Sequence, residues 1–129
     1  MSIRELQNTM STMKQVEIGT IHRFTDGIYS REITIPKGVC LVGAKHKTKH
    51  FFIVSQGECI LNDGCNVVRL KSPHQGVTEI GTKRAITAIH DTVFTTFHVT
   101  NKIDIEEIEA EIIENEGLKI QNNPQKVIK

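Results

Sequence analysis

Two histidines four residues apart, His46 and His50, stand in the stretch GAKHKTKHFFIVSQG (residues 43–57) among Lys45, Lys47 and Lys49. Closely spaced imidazoles can donate neutral nitrogens to a divalent metal or contact a small polar ligand. Two donors alone rarely hold a metal, so His98 or His90 would have to converge from its own strand. If the segment is extended, alternation places His46, Thr48 and His50 on one face and the three lysines on the other. The histidine face then suits a cavity mouth. The lysine face suits an anionic partner, a neighbouring subunit, or solvent at a guarded sheet edge. Lys45, Lys47 and Lys49 are therefore candidate partner contacts.

Few other residues have the company that chemistry needs. Arg84 follows an expected turn at Gly81. It either grips a carboxylate or phosphate inside a cavity or forms a salt bridge to Glu79 or Asp91, and a lone enclosed cation favours the salt bridge. His90-Asp91 has the form of a turn before a strand. No serine or cysteine nucleophile has a supporting motif, and SPHQG around Ser72 is not a nucleophile elbow. Tyr29, the single tyrosine, reads as packing at a strand start. There is no phosphate loop, EF-hand or zincin motif, and aromatics at 5% are too sparse for an RNA-stacking platform. No catalytic residue is assigned.

These side chains need a scaffold, and 129 residues suffice for one domain with its own core. REITIPKG alternates Arg31, Ile33 and Ile35 against Glu32 and Thr34, and HFFIVSQG has the make-up of a buried strand. ECILNDGCNVVRL reads as a hairpin across Asp63-Gly64, and RAITAIHDTVFTTFHVT as two more strands. Strands recurring every 8–12 residues or so, without helices between them, predict a sandwich or barrel.

The period then changes. Ile105, Ile108 and Ile112 share one face of a helix over 104–116, Asp104 and Glu107 have capping-box spacing, and Gly117 stands where a C′ glycine would end it. The stripe either packs on the barrel or docks a partner or subunit, which makes Ile105, Ile108 and Ile112 candidate partner contacts. The expected organisation is an N-terminal arm or short helix within 1–15, a barrel over 16–102, an acidic helix over 103–117 and a tail over 118–129.

Residues 103–116 hold seven of the fifteen acids and no Lys or Arg, leaving eight acids against thirteen of the sixteen bases in residues 1–102. A body at +5 is too mildly basic to indicate nucleic acid. The three cysteines follow no metal-site spacing and read as buried or half-buried thiols. No apolar signal core opens the sequence, and no run reaches transmembrane length.

The histidine segment resembles the first motif of the cupin superfamily: a glycine, five residues, HxH, three or four residues, a glutamate, six residues and a glycine. Here it runs Gly38, five residues, Ala44-Lys45-His46, three residues, His50, six residues, Gly57. The second motif, PxGxxH, falls on Glu79-Ile80-Gly81-Thr82-Lys83-Arg84 and keeps only its glycine. GIYSREITIPKG, LVGAKHK, GTKRAITAIHDTVFTTFH and TNKIDIEEIEAEII together are similar to small cupin-like proteins of tailed bacteriophages and prophages. The resemblance implies an all-β fold with a C-terminal helix, a single cupin-type double-stranded β-helix (jelly-roll) barrel, often oligomeric.

Carried over onto this chain, the four metal-ligand positions of the family are Ala44, His46, His50 and Arg84. Alanine donates nothing and arginine repels a cation. The leading expectation is a non-enzymatic phage-type binding or structural module. It would lie in a homo-oligomer or virion assembly, in host cytoplasm or virion, with no cofactor and neither nucleic acid nor membrane as partner. The alternative is a small-molecule cupin with His46, His50, Arg84 and His98 as ligand contacts. That is either an isomerase or oxygenase with a divalent metal on His46 and His50, or a pocket for an anionic sugar or nucleotide.

Overall fold

A computed structural model describes residues 2–12 and 16–114, and the backbone of 125–128. The described elements run α1 (Ile3–Met10), β1 (Gly19–Thr25), β2 (Ile28–Ile35), β3 (Cys40–Val42), β4 (His50–Gln56) and β5 (Glu58–Asn62). They continue with β6 (Val67–Lys71), β7 (His74–Thr78), β8 (Ala85–Ala88), β9 (Thr92–Val99), α2 (Ile105–Ile112) and β10 (Gln125–Ile128). One sheet has the order β10-β1-β2-β9-β4-β7 and the other β3-β8-β5-β6. The pairings are antiparallel, except that β10 lies parallel to β1. This is a jelly-roll arrangement: strand spacing predicts a sandwich or barrel, and the cupin resemblance implies this form of it.

The larger sheet contributes Ile33, Ile35, Phe52, Val54 and Phe94 to the core, and the smaller contributes Cys59, Leu61, Leu70 and Ile86. Along β2, Tyr29, Ile33 and Ile35 are buried and Thr34 is exposed, so period two puts the half-buried Arg31 on the inward face. HFFIVSQG departs from the expected buried strand: Phe52 and Val54 point in, but Phe51 is 54% exposed. An antiparallel sheet with one wet face requires such alternation. The β5–β6 connection closes when the Asp63 carboxylate accepts backbone N–H bonds from Cys65 (2.9 Å) and Asn66 (2.7 Å). Cys59 is buried and Cys40 half-buried, whereas Cys65, in that connection, is exposed.

Helix α1 opens with a capping box in which Ser2 and Glu5 satisfy each other's backbone N–H groups. Helix α2 starts where expected, Asp104 accepting from the N–H groups of Glu106 and Glu107. It ends earlier than residue 116, because Ile113 turns to extended backbone (φ −120°, ψ 136°) and bridges to His46; Gly117 lies outside the described residues. Ile108 and Ile112 are buried with Tyr29, and Phe24, Ile105 and Ile113 pack around them. The stripe of Ile105, Ile108 and Ile112 therefore packs on its own barrel, the first of its two expected placements. Among the described residues no helix is long and apolar enough to cross a membrane.

Candidate metal centre

Strand β9 brings a third imidazole inward. Its buried residues include Phe94 and His98 at period two, and ladder register sets His98 opposite Tyr29. His50, the first residue of β4, faces the same interior with Phe52 and Val54. His46 arrives differently, because the chain bends at residues 47–48 instead of running extended. The supposed split of histidines and lysines between two strand faces therefore does not hold. His46 is positioned by its bridge to Ile113, by donating its N–H to the Thr82 carbonyl (3.4 Å), and by its own carbonyl accepting from Gly81 (2.9 Å).

The three rings converge. Centroids lie 4.5 Å apart for His46–His50, 4.4 Å for His50–His98 and 5.8 Å for His46–His98. One ring nitrogen from each lies within 4.8 Å of the others. Their outer nitrogens are tied down: His50 Nδ1 to the Thr48 carbonyl (3.0 Å), His98 Nε2 to Thr96 Oγ1 (2.9 Å), and His46 to the Ala44 backbone. A carbonyl only accepts, so His50 carries its proton on Nδ1 and leaves Nε2 as a bare lone pair. His50 Nε2 and His98 Nδ1 are buried with no hydrogen-bond partner among the described residues. Buried unpaired nitrogens are costly, and a coordinated cation would satisfy them.

Electrostatics leaves these rings neutral. Burial, then the neighbouring His50 and the charges of Arg84 and Arg31, push His46 down to about 4. Burial, with His50, His46 and Arg31 adding to it, pushes His98 down to about 3. His50 is lowered mainly by burial. Neutral imidazoles are the form that binds metal. The residues present thus fit a divalent cation with three protein donors, and of the two further histidines named from the sequence it is His98 that converges.

Behind His98 lies a polar support. Tyr29 stacks on His98 (5.8 Å) and on His22 (5.7 Å), and its hydroxyl is 2.6 Å from His22 Nδ1. Burial raises the Tyr29 phenol to about 12. No motif marks His22, and Arg31 is expected from the sequence only as a member of an alternating strand. The usable signal was period two along GTIHRFT and IYSREITI, which places both residues on buried faces.

Arg84 also faces inward. Its Nη2 donates to Thr78 Oγ1 (2.6 Å), and its Cζ lies 4.8 Å from the Phe52 ring centre and 5.8 Å from that of Phe94. The expected salt bridge to Glu79 or Asp91 does not form. Glu79 pairs with Lys49 (3.4 Å), and Asp91 accepts the Lys37 backbone N–H (2.8 Å). The lysines likewise engage their own chain. Lys47 donates its backbone N–H to the Ile112 carbonyl (2.7 Å) and its ammonium to the Ala110 carbonyl (3.0 Å), while Lys45 lies 3.5 Å from Glu114. A cation at the C-terminal end of α2 complements the helix dipole. His90 lies away from the cluster, exposed and 3.8 Å from Glu58.

No family model matches the sequence, and no curated protein matches it. Solved structures match the fold. A cupin superfamily protein from Desulfitobacterium hafniense has a TM-score of 0.56 at 11% identity, covering 69% of this chain and 84% of the other. A cupin-2 domain containing protein from Shewanella frigidimarina has a TM-score of 0.52 at 12% identity, covering 74% and 92%. The cupin_2 domain of an XRE family transcriptional regulator from Enterobacter cloacae has a TM-score of 0.50 at 11% identity, covering 59% and 84%. Likeness at such identities speaks for fold alone. The chain has the fold of the cupins, a jelly-roll barrel, and carries three convergent imidazoles inside it.

Proposed function

We propose that the protein is a small-molecule cupin whose centre holds a divalent metal on His46, His50 and His98. The observation that carries this is the pair of buried, partnerless nitrogens, His50 Nε2 and His98 Nδ1, aimed into one cluster with His46. A metal bound there would supply Lewis acidity to an oxygen of a small substrate. The chain's own part is to hold the donors neutral and oriented through Thr48, Thr96 and Ala44, with Tyr29 stacked on His98. Elemental analysis of protein purified without an affinity tag tests this. Near-stoichiometric Mn, Fe, Ni or Zn, lost in His46→Ala and His98→Ala, is the expected result. Metal content unchanged by both substitutions would rule the centre out.

A second reading keeps the protein as a phage-type binding or structural module in a homo-oligomer. What supports it is the outer face of the larger sheet, where Ile28, Val99, Phe51 and Val77 stand exposed on adjacent strands. A sheet face open to water ordinarily carries polar residues there. Light scattering on wild type and a Phe51→Lys/Val99→Lys variant separates the readings. A monomer in both cases removes the second.

A further inference from the structure

Arg84 has a second neighbourhood, apart from His46, His50 and His98. A cavity of about 300 Å³ opens there, its lining free of those three, with Arg84, Phe52 and His74 bordering it, Leu61 and Leu70 as apolar wall, and Asp63 and Asn66 also in the lining. Arg84 has no carboxylate within ion-pair distance among the described residues. Enclosed cations are ordinarily matched by an anion. The Arg84 fork is already oriented: Nη2 is bonded to Thr78 and the guanidinium lies over Phe52, leaving other N–H groups for a ligand. Close approach of the neighbouring backbone makes room for this, since a Cβ on Gly76 would stand 2.6 Å from the Phe52 ring.

Three features narrow the ligand. The volume lies at the lower end for small-molecule sites, about 300–1,000 Å³, which excludes a large cofactor. The Leu61 and Leu70 wall calls for an organic body, because inorganic anions would leave it facing water. Asp63 is exposed, and its charge acts on Arg84, so a ligand with several negative charges would be repelled.

We propose that this cavity binds a small organic monocarboxylate, its oxygens on the Arg84 guanidinium and its apolar body against Phe52, Leu61 and Leu70. The site is separate from the histidine donors and stands whether or not they hold a metal. Arg84 nonetheless acts electrostatically on His46 and His50, so a carboxylate here would also moderate the positive charge beside that cluster.

The test uses the full chain stripped of metal, so failure of the metal reading leaves it intact. Amide and arginine side-chain NMR signals are followed on titration with butyrate and with benzoate, against 1-butanol and inorganic phosphate. Both carboxylates should give saturable shifts at Leu70, Asn66, Gly76 and the Arg84 Nε–H, while 1-butanol gives none and phosphate binds more weakly. Arg84→Gln should lower carboxylate affinity at least about tenfold, the loss expected when a charged hydrogen bond goes. Asn66→Asp, at an exposed loop position, adds a second negative charge beside Asp63 and should also weaken carboxylates; it serves if Arg84→Gln fails to fold. The proposal is overturned by absence of saturable carboxylate binding, by phosphate binding more tightly, by affinity indifferent to both substitutions, or by shifts confined to His46, His50 and His98 and lost in His46→Ala.

Discussion

Returning a divalent cation to metal-stripped protein should raise its melting midpoint by an amount that site occupancy dictates. A ligand bound only by the folded state, present at about 100 times its Kd, contributes about 2.7 kcal/mol. Unfolding entropy near 60 °C is roughly 2.1 cal/mol/K per residue, so 129 residues give about 0.27 kcal/mol/K. The midpoint should therefore rise by about 10 °C. The stabilisation comes from pairing His50 Nε2 and His98 Nδ1, which the folded chain otherwise buries without a partner among the described residues. Removing one donor should abolish most of it. If His98→Ala weakens binding about 100-fold, the same metal concentration equals the new Kd and leaves about 0.4 kcal/mol, or roughly 1.5 °C. Scanning calorimetry at neutral pH with Mn, Co, Ni and Zn measures this, with exposed His90→Ala as control. An equal shift in His98→Ala, or no shift with any of the four metals, refutes the reasoning.

Other expectations test the scaffold. Gly57 has φ +87°, and a Cβ there would stand 2.9 Å from the Asp91 carbonyl carbon and nearer still to its oxygen. Gly57→Ala should cost at least about 2 kcal/mol in urea unfolding, and an unchanged midpoint would show that the β4–β5 turn relaxes freely. Ile108 is 0% exposed, so Ile108→Ala should lose about 2–5 kcal/mol and speed amide exchange across α2. Wild-type exchange rates in that variant would mean that the helix is not held by its stripe. Because Tyr29 is the single tyrosine, ultraviolet titration reports it alone. Its pKa is raised from 10.0 to about 12, so the folded state retains its proton more tightly than the unfolded chain. The associated stability is complete below pH 10 and is lost between 10 and 12 at up to about 1.4 kcal/mol per pH unit. An ordinary midpoint would show the phenol to be solvated.

Local chemistry carried most of the architecture. The turn at Asp63-Gly64 follows from residues that close it through their own side chains and tolerate its backbone. The start of α2 follows from an Asp104 carboxylate two and three residues ahead of open N–H groups. Strand alternation follows from period two, and it places His50 with Phe52 and Val54. Period two states which residues share a face but is silent on which face is enclosed. Only ladder register, with His98 opposite Tyr29 and Arg31 opposite His22, settled that these polar residues point inward. The end of α2 was likewise a tertiary matter: backbone bonds from Lys47 and Glu114, and the His46–Ile113 bridge, stop the helix before the glycine that local rules nominated. The sequence by itself determined the sheet-forming segments and the histidine spacing, because backbone propensity and hydrophobic period act over a few residues. The third donor and the inward arginines were decided by the folded barrel, because convergence of residues fifty positions apart depends on strand pairing that no local pattern encodes.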